Sequence, residues 1–215
     1  MLEISPWVQP VGLERALLKE LIAVARLCYE RGWACGSSGN FSLQLRPGLV
    51  WQSPSGMNKG ALSIESFIAV ALSSAEPLAP ESAKPSEEMP VHLGIYEHCP
   101  AARAVVHAHS PALVRLSALL ATGEAAAGEA ALCFKGQELQ KALGSSSFDE
   151  ELTLRVTTNR SKEGMGLLRA SMGELLNRQA QVLILAGHGV YAWGASPLEA
   201  LHKVEALEFL CQSRF

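Results

Sequence analysis

The stretch Val105-Val106-His107-Ala108-His109 runs straight into Ser110-Pro111, so an apolar strand pattern meets a helix start with no room for a turn between them. Such a junction demands a layered arrangement, with the strand in a sheet and the following helix packed back across it. Strand side chains alternate faces with a period of two, so His107 and His109 leave the same side. Two imidazoles so placed either share a cation or are separately hydrogen-bonded. A third, His188, lies between two glycines just after the apolar run 182–185, and Glu88 lies in the first turn of a helical segment that follows Pro85-Ser86.

The remaining punctuation alternates strand and helix signals. Residues 13–31 place Leu17, Leu18, Leu21, Val24, Ala25 and Cys28 at helical spacing, with Gly32 as the stop. Phe41, Leu43 and Leu45, the turn Arg46-Pro47-Gly48, and Leu49-Val50-Trp51 predict a hairpin. Residues 67–72, 131–134, 152–156, 182–185 and 190–194 read as further strands. Helices are expected over 87–98 capped by Ser86, from Ser110-Pro111 onward, over 162–178, and from the capping box Ser196-Pro197-Leu198-Glu199 to the end. Residues 123–130 are expected to be a surface loop. No internal repeat or linker divides the chain, so a single domain over 1–215 is expected.

Composition narrows the function classes. Of the 215 residues 48% are apolar, enough for a well-buried core, and a net charge of -3 leaves no basic footprint for nucleic acid or an anionic membrane. The five cysteines are scattered without a C-x-x-C pair, which suits a reducing compartment. No leader-like pattern opens the chain and no apolar run reaches spanning length, so a cytoplasmic enzyme of small molecules is expected.

Three imidazoles with an open position are the ligand set of a catalytic zinc site, though manganese, iron, cobalt or nickel also suit it. The small-residue loops 35–40 and 53–56 offer backbone and hydroxyl donors, with Lys59 nearby as a charge. No nucleotide fingerprint accompanies them, so the anion they suit is the phosphate of a small substrate. A divalent ion beside such loops points to a sugar phosphate whose carbonyl is polarised so that the neighbouring C–H becomes acidic. Glu88 and Glu138 are the two carboxylates placed to act as the base. His92, His98 and His202 have no partner spacing and fall on helices.

Taken together, Gly39-Asn40, Ser55-Gly56, Pro85-Ser86-x-Glu88, His107-x-His109-Ser110 and Gly187-His188-Gly189 resemble the class II aldolase family in order and spacing. The resemblance implies an α/β fold, a three-layer α/β/α sandwich around a mostly antiparallel sheet. It also implies a homotetramer with the active site near a subunit interface, and one zinc per subunit on His107, His109 and His188. Gly39, Asn40, Ser55, Gly56, Lys59 and Ser86 would hold the substrate phosphate. Three features, Ser55-Gly56-x-x-Lys59-Gly60, Gly136-x-Glu138-x-x-Lys141, and the run Gly189–Gly194 leading to Glu208-Phe209-Leu210, are similar to the branch that dehydrates 5-methylthioribulose 1-phosphate in methionine salvage. That likeness implies a hydro-lyase with Glu138 as general acid/base. Glu88 falls where the aldolases keep a catalytic glutamate. The alternative within the family is an aldolase or epimerase of fuculose, rhamnulose or ribulose phosphate. The adducin head, which shares the fold without the metal ligands, is disfavoured by the three histidines.

Overall fold

The computed structural model describes residues 9–79, 83–122, 130–158 and 165–214. Its strands are β1 (Asn40–Leu43), β2 (Leu49–Gln52), β3 (Ile68–Ala71), β4 (Ala104–Ala108), β5 (Ala130–Phe134), β6 (Leu152–Thr157), β7 (Val182–Leu185) and β8 (Gly189–Gly194). They form one sheet in the order β3-β2-β1-β4-β8-β7-β6-β5, antiparallel at every junction except the parallel β6–β7 pair. The helices are α1 (Leu13–Glu30), α2 (Met89–His98), α3 (Pro111–Thr122), α4 (Met165–Ala170), α5 (Met172–Leu175) and α6 (Pro197–Gln212).

Period-two alternation sorts β4 between two cores. Ala104, Val106 and Ala108 face the layer of α1, α3 and α6, where Leu18, Leu21, Leu113, Leu201 and Leu207 are buried. Val105 faces the opposite layer, with Leu93 and Ile95 of α2, Leu168 of α4 and Met172 of α5. Covering the sheet on both faces is what the expected three-layer α/β/α class requires, and the wholly buried Trp193, Tyr191 and Phe41 each contribute about 2–3 kcal/mol of apolar transfer to it. The same alternation turns His107 toward the α2 side, at the centre of the sheet between β1 and β8.

Three expectations are corrected. The helix expected from Glu87 starts at Met89, because Pro90 fits only the first turn, where no N–H bond is needed; Ser86 Oγ accepts instead from the Glu88 N–H at 3.3 Å. Glu88 thus stands at the N-cap without capping. Ser110 does not cap α3 either: its hydroxyl is buried without a partner among the described residues, and the Glu208 carboxylate of α6 accepts from the Ala112 and Leu113 amides. Of the helix expected over 162–178, residues 162–164 lie outside the described residues and the rest holds two short pieces broken at Ser171, where Gly166 and Gly173 lower helix propensity. Residues 123–129 of the expected surface loop lie outside the described residues.

Candidate metal centre

Three chain segments bring the histidines together. His107 is the fourth residue of β4. His109 follows one residue past the strand end, fixed by its N–H donating to the Trp33 carbonyl at 2.8 Å. His188 sits in the tight β7–β8 connection, where Gly187 adopts φ 63° and its N–H donates to Ser117 Oγ at 3.2 Å. The ligand nitrogens of His107, His109 and His188 all lie within 4.8 Å of one another. Gly39 passes so close over β4 that a Cβ there would meet the His107 carbonyl oxygen at 2.9 Å, and its φ of +72° suits glycine.

The cluster is rich in acceptors. His107 stacks on Tyr191 with ring centroids 3.9 Å apart and donates Nδ1–H to the Val190 carbonyl at 3.0 Å, which leaves the Nε2 lone pair facing His188 Nε2 at 3.2 Å. Burial lowers the His107 and His109 pKa values, keeping these rings neutral and able to ligate. Glu88 reaches the same point from α2, with Oε1 2.9 Å from His188 Nε2 and Oε2 3.3 Å from His107 Nε2. Burial opposes its ionisation, but the hydrogen bonds it accepts from His188 and from the Asn40 amide favour the charged form and hold the carboxyl below its ordinary range. We take Glu88 as the charged member, because His107 is the one wholly desolvated. Tyr191 is pushed well above the ordinary phenol value by burial and by the neighbouring Glu88 carboxylate. Converging neutral imidazole lone pairs with a carboxylate beside them form a donor set that fits a divalent transition ion with a position left open.

A cavity of about 240 Å³ opens on this cluster and is lined by Gly39, Asn40, Ser55, Gly56, Lys59 and Ser86 together with Glu88, His109 and His188. The loop residues singled out in the sequence therefore converge on the histidines. Ser37, Ser38 and Pro54 also line the cavity. Lys59 is buried, and its Nζ donates to the Ser37 carbonyl at 2.9 Å and the Met57 carbonyl at 2.7 Å. It staples the two loops as well as bringing a charge to them, and burial lowers its pKa.

Glu138 is placed elsewhere. It lies on the 3₁₀ turn Glu138–Leu143, is 71% exposed, pairs with Lys141 at 2.9 Å and does not line this cavity. A larger hollow of about 490 Å³ between α3 and β5 is walled mainly by Leu116, Leu120, Leu132 and Phe134 and gathers no comparable set of ligands among the described residues. Sequence reasoning missed His92, which contacts Asn40, and Tyr191; the i, i+4 spacing of Glu88 and His92 was the available signal.

Residues 19–215 match the family described as class II aldolase and adducin N-terminal domain, and the chain belongs to that family. It is 38% identical over 194 residues to the methylthioribulose-1-phosphate dehydratase of Methylococcus capsulatus, covering 89% of each chain. It is 34% identical over 194 residues to the Sorangium cellulosum protein of the same name, covering 89% of this chain and 87% of the relative. Among solved structures, L-fuculose-1-phosphate aldolase from Thermus thermophilus superposes with a TM-score of 0.70 at 25% identity, covering 93% of both chains.

Proposed function

We propose that this chain is a hydro-lyase that converts 5-methylthioribulose 1-phosphate to 2,3-diketo-5-methylthiopentyl 1-phosphate, a step of methionine salvage, in the cytoplasm. The observation that carries this reading is that one cavity joins an acceptor-rich histidine cluster to a wall of hydroxyl, amide and ammonium donors. One end suits a divalent ion and the other a phosphate. The names of relatives aligned over most of the chain supply the substrate.

His107, His109 and His188 would hold one zinc ion per subunit, and the ion would supply Lewis acidity at the substrate's carbonyl. The donors of Gly39, Asn40, Ser55, Gly56, Lys59 and Ser86 bind the phosphate and fix the sugar chain in register. Glu88, ionised and held by the Asn40 amide, faces the space where the C3–H would lie and is placed to take that proton. The C4 hydroxyl leaves as water with a proton from a general acid, and the enol so formed tautomerises to the diketone. We assign the acid to Glu138. Because Glu138 stands outside the cavity of its own chain, we assign it to the site of a neighbouring copy in a homotetramer, with the cavity near the interface.

The test is incubation of the zinc-loaded protein with 5-methylthioribulose 1-phosphate, followed by mass spectrometry. Loss of one water with every carbon retained supports the proposal. Cleavage between C3 and C4, giving dihydroxyacetone phosphate and a methylthio-aldehyde, overturns it in favour of an aldolase.

A further inference from the structure

We propose that His92 is a positioning residue that fixes the orientation of the Asn40 amide and, through it, the Glu88 carboxylate. Glu88 is the N-cap of α2 and His92 lies one turn further along, so both reach toward the start of β1. There the side chains form an unbroken row: Glu88 to Asn40, Asn40 to His92, His92 to Ser42 at 2.7 Å, and Ser42 to Tyr96 at 2.8 Å. Asn40, Ser42, His92 and Tyr96 are all buried, so water does not substitute for a missing partner.

Hydrogen-bond polarity leaves each member one role. An ionised carboxylate only accepts, so Asn40 must turn Nδ2 toward Glu88 and Oδ1 toward His92. His92 must then carry its proton on Nε2, which leaves Nδ1 to accept from the Ser42 hydroxyl, and Ser42 Oγ accepts from the Tyr96 hydroxyl. Ser86 Oγ, 3.3 Å from Asn40 Nδ2, both donates and accepts, so it tolerates either amide orientation. His92 does not. A flipped Asn40 would set an amide donor against the Nε2–H and a carbonyl against the Glu88 carboxylate. Neither His92 nor Asn40 needs to move a proton for this role.

The proposal rests on Glu88 being a working group of the site, and its test separates that from the choice of substrate. Gln at position 92 puts its amide nitrogen as many bonds from the backbone as imidazole Nε2, whereas Asn reaches only as far as Nδ1. His92→Gln is expected to keep kcat on 5-methylthioribulose 1-phosphate within about five-fold, and His92→Asn to lower kcat about 10- to 100-fold with KM little changed and zinc still bound. Equal losses in both folded variants, or none in His92→Asn, would overturn the proposal. Independently of any reaction, long-range ¹H–¹⁵N spectra of the zinc-loaded wild-type protein are expected to show His92 as the Nε2–H tautomer. An Nδ1–H tautomer or a protonated ring at neutral pH would overturn it even if the wild type turned over another substrate.

Discussion

Gly189 offers a sharp test of how sheet packing builds the histidine cluster. It opens β8 directly after His188, and a Cβ placed on it would lie 2.4 Å from the Ala108 carbonyl oxygen and 2.9 Å from His109 Cδ2. Ordinary contact begins roughly 1 Å further out, and one obstacle is the backbone of β4, which is held between β1 and β8 and cannot rotate away. Gly189→Ala must therefore spread β4 and β8 at the end where His107, His109 and His188 meet. Overpacking of this kind costs about 1–3 kcal/mol, and the backbone obstacle places Gly189→Ala near about 3 kcal/mol. The same displacement moves histidines on opposite sides of the gap, so zinc affinity should fall about 10- to 100-fold. Urea unfolding followed by circular dichroism reads the first quantity, and competition with a chromophoric chelator reads the second. Gly166→Ala is the control: it lies in α4 with open space around its Cβ position, so it should be neutral or stabilise by up to about 1 kcal/mol. A Gly189→Ala protein as stable and as zinc-avid as wild type would refute the reasoning.

Glu138→Gln should keep fold and zinc while lowering turnover by about 10²–10⁴-fold. If Glu138 acts in a neighbour's site, mixing it with inactive His188→Ala chains should restore up to about a quarter of wild-type activity by random assortment in a symmetric oligomer; no recovery from demonstrably mixed oligomers would count against that assignment. Glu208→Ala strips the acceptor from the Ala112 and Leu113 amides and should cost about 2 kcal/mol in urea unfolding. Burial lowers the His92 pKa from 6.5 to about 4, against the opposing Glu88 charge, so the unfolded chain takes up this proton first. Its contribution is complete above pH 6.5 and is lost progressively toward pH 4, about 3 kcal/mol in all. His92→Gln should flatten that part of the acid limb, and superimposable pH–stability curves for the two proteins would contradict the sign.

Much of this arrangement was legible in the residues because period and punctuation are local. The alternation in 104–109 and the Ser110-Pro111 stop placed β4 and α3, and H-x-H on a strand end put two imidazoles on one side without any tertiary contact. The loops 35–40 and 53–56 announced themselves by composition, and they do meet at the histidines. What stayed hidden depends on long-range partners. Glu88 looks like a helix-capping acid in sequence, and only the fold shows it turned away from its helix toward β4 and the β7–β8 connection. Ser110 carries every local sign of an N-cap, yet Glu208, 96 residues from Ala112, does that work. His92 has no ligand spacing, and its value lies in Asn40 and Ser42, which a strand in another layer supplies.

Metal content bears most directly on the histidine cluster. Native mass spectrometry of the metal-stripped chain titrated with zinc should show one ion per chain bound tightly by the wild type. His107→Ala, His109→Ala and His188→Ala should each lose that tight binding while their far-ultraviolet circular dichroism is kept. Wild-type protein that takes up no zinc, or three folded variants that bind it as tightly as wild type, would contradict the account.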